Sequence, residues 1–161
     1  MNLFMLCPRH VVLLLGTIVL CAMGIAGMAL AGDVEALYQA AGEGKPAEVS
    51  SLLKSGVDVN ARTSSGSYAL NAAAVENEVD VIRVLLNHGA DPNVQNSQGD
   101  TPLICATKYA GGKVATVELL VKAGTDLGMK DNKGNTALDY AKTKGQQEAI
   151  SMLESFLGEK G

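Results

Sequence analysis

Cysteine is scarce where it would matter. Of three cysteines, Cys7 and Cys21 fall in an apolar leader, and Cys105 is alone in the rest of the chain, so a disulfide scaffold is excluded. Histidine is as thin, with only His88 outside the leader, so general acid–base chemistry has few carriers. Positive charge is also short. Past residue 31 there are 12 lysines and arginines (the total of 13 less Arg9) against 17 acids, a formal charge of −5. That balance argues against nucleic acid or an anionic lipid surface as partner. No strand-length alternating run occurs, so only short turns are left for β structure. No Asn-x-Ser/Thr site is present, which favours a bacterial periplasm over a eukaryotic secretory route.

What is present begins with the leader. Val11 to Ala31 carries no charge, follows Arg9 and precedes Asp33 and Glu35. It ends in Ala29-Leu30-Ala31 before Gly32, the small-x-small form of a signal-peptidase site. Residues 1–31 are expected to be a cleaved signal peptide. The alternative is an uncleaved membrane anchor, because an apolar run of about 20 residues also spans a bilayer. In both cases the charge asymmetry keeps the N-terminus inside and delivers residues 32–161 across the membrane, to a periplasmic or secreted location. The remaining 130 residues suffice for one domain.

That domain repeats itself. Leu37, Leu70, Leu103 and Leu138 are spaced by 33, 33 and 35 residues, and Ala40, Ala73, Ala106 and Ala141 follow each by one helical turn. Gly56, Gly89 and Gly124 keep the same register, as do Gly66, Gly99 and Gly134. The two extra residues of the third unit fall between its helices, in Lys108-Tyr109-Ala110-Gly111-Gly112-Lys113. Each unit reads as a turn, a short inner helix, a longer outer helix and a glycine stop. Thr101 is suited to cap an inner helix that starts at Pro102, and Ser67 is expected to cap the equivalent helix of the second unit. Val81, Ile82, Leu85 and Leu86 form the buried stripe of an outer helix.

Thr101-Pro102-Leu103-Ile104-Cys105-Ala106 resembles the T-P-L-H-x-A signature of the ankyrin repeat, whose period is 33. Leu85-Leu86-Asn87-His88-Gly89-Ala90-Asp91-Pro92-Asn93 is similar to the matching repeat ending, and Leu52 to Asn60 copies it. The resemblance runs from about Asp33 to Leu157 and implies an all-α fold with short β-turn tips, a solenoid of about four helix–turn–helix repeats. Their limits are about 33–62, 63–95, 96–130 and 131–157, with atypical end units. The signature histidine is replaced by Tyr38, Asn71, Ile104 and Asp139, so its local hydrogen bond must be made otherwise or lost.

Candidate chemistry is weighed against that frame. His88 sits in a helix-ending turn where ankyrin repeats commonly place histidine, and Cys105 reads as a small buried apolar group. Gly42-Glu43-Gly44-Lys45-Pro46 lacks the first glycine and final hydroxyl of a phosphate loop. Asp91-Pro92-Asn93-Val94-Gln95 lacks the glycine and glutamate of a calcium loop. No catalytic, metal or cofactor site is assigned.

The resemblance implies recognition through turn tips and the exposed face of inner helices. By position the tips supply Ser64, Ser65 and Ser67, then Ser97, Gln98 and Asp100, then Asn132, Lys133 and Asn135. The inner helices add Lys108 and Tyr109, with Val75, Glu76, Thr143 and Lys144 in equivalent slots. The expected function is a non-catalytic protein–protein interaction module outside the cytoplasmic membrane, monomeric, with another protein as partner. A second reading is an accessory, protective or inhibitory factor for an exported enzyme. A remote third is a groove-sited enzyme or small-ligand binder, which would need Tyr109, Lys113 and Glu76 to line one deep apolar pocket.

Overall fold

The computed structural model describes residues 31–158. The leader, with its cleavage-or-anchor alternatives, lies outside the described residues apart from Ala31, which opens the first helix. Eight helices and no strand occur among the described residues. They form four pairs: α1 (Ala31–Gly42) with α2 (Pro46–Lys54), α3 (Ala69–Glu76) with α4 (Val79–Asn87), α5 (Pro102–Lys108) with α6 (Val114–Lys122), and α7 (Ala137–Thr143) with α8 (Gln147–Gly158). Odd-numbered helices pack on one another in succession as an inner layer, and even-numbered helices do so as an outer layer. None of these helices is long and apolar enough to cross a membrane.

Burial explains the layering. Leu37, Leu70 and Leu103 are at most 2% exposed, and Ala73, Ala106 and Ala141 are fully buried where neighbouring inner helices approach. Val81, Ile82 and Leu85 on α4, and Val117 and Leu120 on α6, seal the outer layer, with Leu86 half-buried at its margin. Leu138, by contrast, is only half-buried, because it lies on the last inner helix and no further unit follows among the described residues.

Helix starts follow local chemistry. Thr101 Oγ1 accepts the Ile104 amide at 3.2 Å, and Pro102 occupies the first helical position. Thr136 and Asp139 form a reciprocal capping box on α7. The expected Ser67 cap is corrected: α3 begins at Ala69 with Tyr68 in the capping position, and no side chain caps it. Tyr68 is the register equivalent of Thr101, one residue beyond Ser67, and a phenol cannot fold back onto the first turn as a threonine hydroxyl does. The Ser67 amide instead donates to Thr63 Oγ1 at 2.9 Å.

The two-residue insertion lengthens one turn. Asn77, left-handed at φ 62°, and Glu78 suffice to join α3 to α4, whereas 109–113 join α5 to α6. Gly99 matters for a different reason. Its φ is +78°, and a Cβ there would lie 2.8 Å from the Asn132 amide nitrogen, so only glycine lets the turn that opens the third unit meet the turn that opens the fourth.

Candidate functional site

Three turns, numbered second, third and fourth after their repeat units, project from the inner layer at one register: Thr63–Ser67, Asn96–Asp100 and Asp131–Asn135. Each is folded over the side chain of its first residue. Asp131 Oδ1 accepts the amides of Lys133 and Asn135, both at 2.9 Å. Asn96 Oδ1 accepts those of Gln98 and Asp100 at 2.9 and 3.0 Å. Residues 63, 96 and 131 escaped the sequence reading, although their spacing of 33 and 35 is the same ruler. Neighbouring turns are also tied together: the Asn132 amide donates to Gln98 O at 3.0 Å, and Asn132 Nδ2 donates to Ser97 O at 3.1 Å.

The turn of the second unit is spent on its own scaffold. Ser64 donates its amide and hydroxyl to Glu35 Oε1 at 2.8 and 2.6 Å, and these bonds hold the Glu35 carboxyl below its usual value. Ser65 Oγ shares a hydrogen bond with Thr63 Oγ1, and Ser67 is half-buried.

Between the third and fourth turns lies a charged junction. Lys108 Nζ donates to both carboxylate oxygens of Asp100, at 2.9 and 2.8 Å, and stands 3.8 Å from Asp131 Oδ2. It also lies 5.2 Å from the ring centres of Tyr109 and of Tyr140. Tyr140 donates its hydroxyl to Asp131 Oδ2 at 2.6 Å, and Tyr109 donates to Gln98 Oε1 at 3.0 Å. Burial opposes the Lys108 charge, but the bonds to Asp100 and Tyr109 outweigh it and raise the ammonium pKa. Burial likewise opposes ionisation of Asp131, yet the bonds from Tyr140 and the Asn135 and Lys133 amides hold its carboxyl below the usual value.

The assignment of Asp100 as a contact residue is therefore corrected. It is fully buried, with both carboxylate oxygens bonded by Lys108, and no partner can reach it. Lys108 is nearly as enclosed, its side chain 13% exposed. Asn135 is half-buried and its amide closes the fourth turn. These residues position the surface that others present.

That surface is a notch of about 330 Å³ lined by Ser97, Gln98, Lys108, Tyr109, Asp131, Asn132 and Lys133. It gathers six of the eleven sequence candidates and leaves out Ser64, Ser65, Ser67, Asp100 and Asn135. Tyr109 is 49% exposed, one of two large apolar side chains so placed among the described residues. Tyr109, Lys113 and Glu76 do not share a pocket. Lys113 lines a depression with Gly111, Gly112 and Gln146, and Glu76 lines another with Tyr38, Ala72 and Val75.

The remaining candidates are structural. Cys105 is buried, its thiol pushed up to about 12 by burial, and its polar neighbour is Asn71 Nδ2 at 3.5 Å. A thiol so held is a poor nucleophile. Asn71, in the signature histidine slot, also donates across to Asp100 O at 3.1 Å, so the lost local bond becomes a bond between repeats. His88 Nδ1 contacts Val84 O at 2.8 Å in its own helix end. The Asp91 carboxylate accepts the Asn93 amide, while Asn60 bridges Gly89 O and the Asp91 amide. The calcium-loop likeness is thus the turn that links one repeat to the next.

Comparison with known proteins agrees with this architecture. A family model for ankyrin repeats (3 copies) matches residues 37–131 and 88–156. The chain is 34% identical over 118 residues to a mouse protein, the inactive serine/threonine-protein kinase TEX14, covering 73% of this chain and 8% of that one. A probable serine/threonine-protein kinase from Dictyostelium discoideum is 38% identical over 104 residues, covering 65% of this chain and 12% of the relative. The chain thus spans a small fraction of the relatives it matches.

Proposed function

The chain belongs to the ankyrin-repeat family, and on that premise we propose that it is a non-catalytic protein-interaction module. It binds its partner on the tips of the third and fourth turns and the adjoining inner-helix face, outside the cytoplasmic membrane. The observation that carries this reading is the notch beside Tyr109, a half-exposed ring on a base already fixed by Lys108, Asp100 and Gln98. An aromatic side chain held in place before contact loses little conformational freedom on binding. The extracytoplasmic location is supported by the uncharged run Val11–Ala31 and its flanking charges.

Affinity capture with the full chain, run beside Tyr109→Ala, tests the surface. The partner held by the native chain should bind the variant at least about tenfold more weakly, with the melting temperature unchanged. Equal recovery of the same proteins by both would overturn the assignment. Mass spectrometry of the N-terminus of the native protein tests export: a chain that starts at Gly32 supports it, and an intact leader in a soluble cytosolic fraction contradicts it.

A further inference from the structure

The notch has a donor–acceptor imbalance. Its acceptors are largely spent on the protein itself. Both Asp100 oxygens face Lys108, and Asp131 takes the Tyr140 hydroxyl and two turn amides. Gln98 Oε1 takes the Tyr109 hydroxyl, and Ser97 O takes the Asn132 side-chain amide. The donors at the rim are not spent. The Lys133 ammonium, the Gln98 side-chain NH2 and the Ser97 hydroxyl make no hydrogen bond or ion pair within the described residues, and all three residues are exposed. The Asn132 side-chain oxygen is an acceptor left open, so the balance rests on the positive charge of Lys133. A surface richer in open donors than in open acceptors is complemented by a group that only accepts, and among protein side chains that is a carboxylate.

Charge agrees with the hydrogen bonding. The carboxylates of the junction are buried and paired, so Lys133 supplies the accessible charge of the notch. The Tyr109 ring beside it offers an apolar wall for the methylene groups that carry an acidic headgroup. We infer that the notch between the third and fourth turns receives an aspartate or glutamate side chain from a loop or terminus of the partner protein. This rests on the protein-binding reading above and adds the chemistry of the partner. The chain as a whole is acidic, with a net charge of −4, so an acidic partner is repelled by the chain overall and gains only where a local positive group such as Lys133 stands. Binding should therefore be selective for one docking pose and weaken with salt.

The test is a random dodecapeptide library displayed on phage and selected on the immobilised full chain in detergent. The selected peptides are then assayed on Lys133→Glu, on Tyr109→Ala and on Lys54→Glu, the same charge change at the exposed end of outer helix α2. The expected result is a family of peptides with an aspartate or glutamate in common. They should bind Lys133→Glu about tenfold or more weakly and Lys54→Glu equally well, and lose affinity as salt rises. Basic or purely apolar peptides, or acidic ones indifferent to Lys133→Glu, would overturn the inference. If those peptides still required Tyr109, the protein-binding reading would survive without it. Peptides indifferent to both variants, or no selected peptide at all, would remove both from this face.

Discussion

Two joints of the same stack are built from opposite materials. Between the second and third units, α3 meets α5 through alanines, and the polar crossing is made by Asn71, whose amide reaches Asp100 O. Between the third and fourth units, α5 meets α7 around the Lys108 ammonium, held by two carboxylates and two tyrosine rings. The register makes the contrast sharp. The slot of Lys108 holds Val75 in the second unit and Thr143 in the fourth, and the slot of Asp100 holds Ser67 and Asn135. Only the third unit carries the acid and the base together. A repeat tolerates this because its fold depends on leucines, alanines and glycines elsewhere, so a pair of slots can change chemistry provided both change at once.

Removing one half of the pair should have the largest effect. Asp100→Ala leaves Lys108 enclosed with only the more distant Asp131, and should cost about 3 kcal/mol in urea unfolding. The double variant Asp100→Ser, Lys108→Val rewrites the charged joint as the apolar one, and should recover to within about 1 kcal/mol of the native chain. A double variant as unstable as Asp100→Ala would show that the two joints are not interchangeable.

Overpacking probes a property that both joints share. Ala106 is fully buried between neighbouring inner helices, and Ala106→Leu should destabilise by roughly 1–3 kcal/mol. An unchanged melting temperature would contradict the register that places Ala106 at the contact. Capping comes next in size. Thr101→Ala should cost about 1 kcal/mol, whereas Tyr68→Ala should cost no cap energy, since α3 has no side-chain cap to lose. A comparison of their amide exchange in the first turns of α5 and α3 would check this.

The smallest effect is a pH dependence confined to the charged joint. Asp131 ionises more readily in the folded chain than at its usual value of 3.8, so the unfolded chain binds its proton first. Its contribution is complete above that value and is lost as pH falls through the depressed folded value. Asp131→Asn copies Asn96 of the third turn and keeps an acceptor for the turn amides. The native chain should therefore melt higher than the variant near neutral pH, and the gap should close below about pH 4. A gap independent of pH would mean that the Asp131 charge contributes nothing.

Much of the fold was legible because its instructions are local. Thr101 and Pro102 start a helix with atoms within one turn, and glycines such as Gly124 end helices by a backbone angle they alone adopt readily. The misplaced cap at Ser67 was an error of one residue, from treating a serine as a capping group when the register put Tyr68 in that slot. The site was half legible. Position along the ruler found Ser97, Gln98, Tyr109, Asn132 and Lys133, but it could not separate surface from support at Asp100 and Lys108. A signal was present: an acid and a base, eight residues apart in one unit, both departing from their register equivalents.

The sequence by itself determined the helices, their order, the Thr101 cap and the period that stacks them, since each rests on contacts within a turn or on one slot repeated. Tertiary structure alone decided which polar groups are consumed. Lys108 is drawn inward because Asp100, Asp131 and Tyr140 converge on it from two units, and Lys133 is left outward because nothing converges there. Whether a charge is support or surface depends on what lies within about 4 Å of it after folding, and spacing along the chain does not encode that distance.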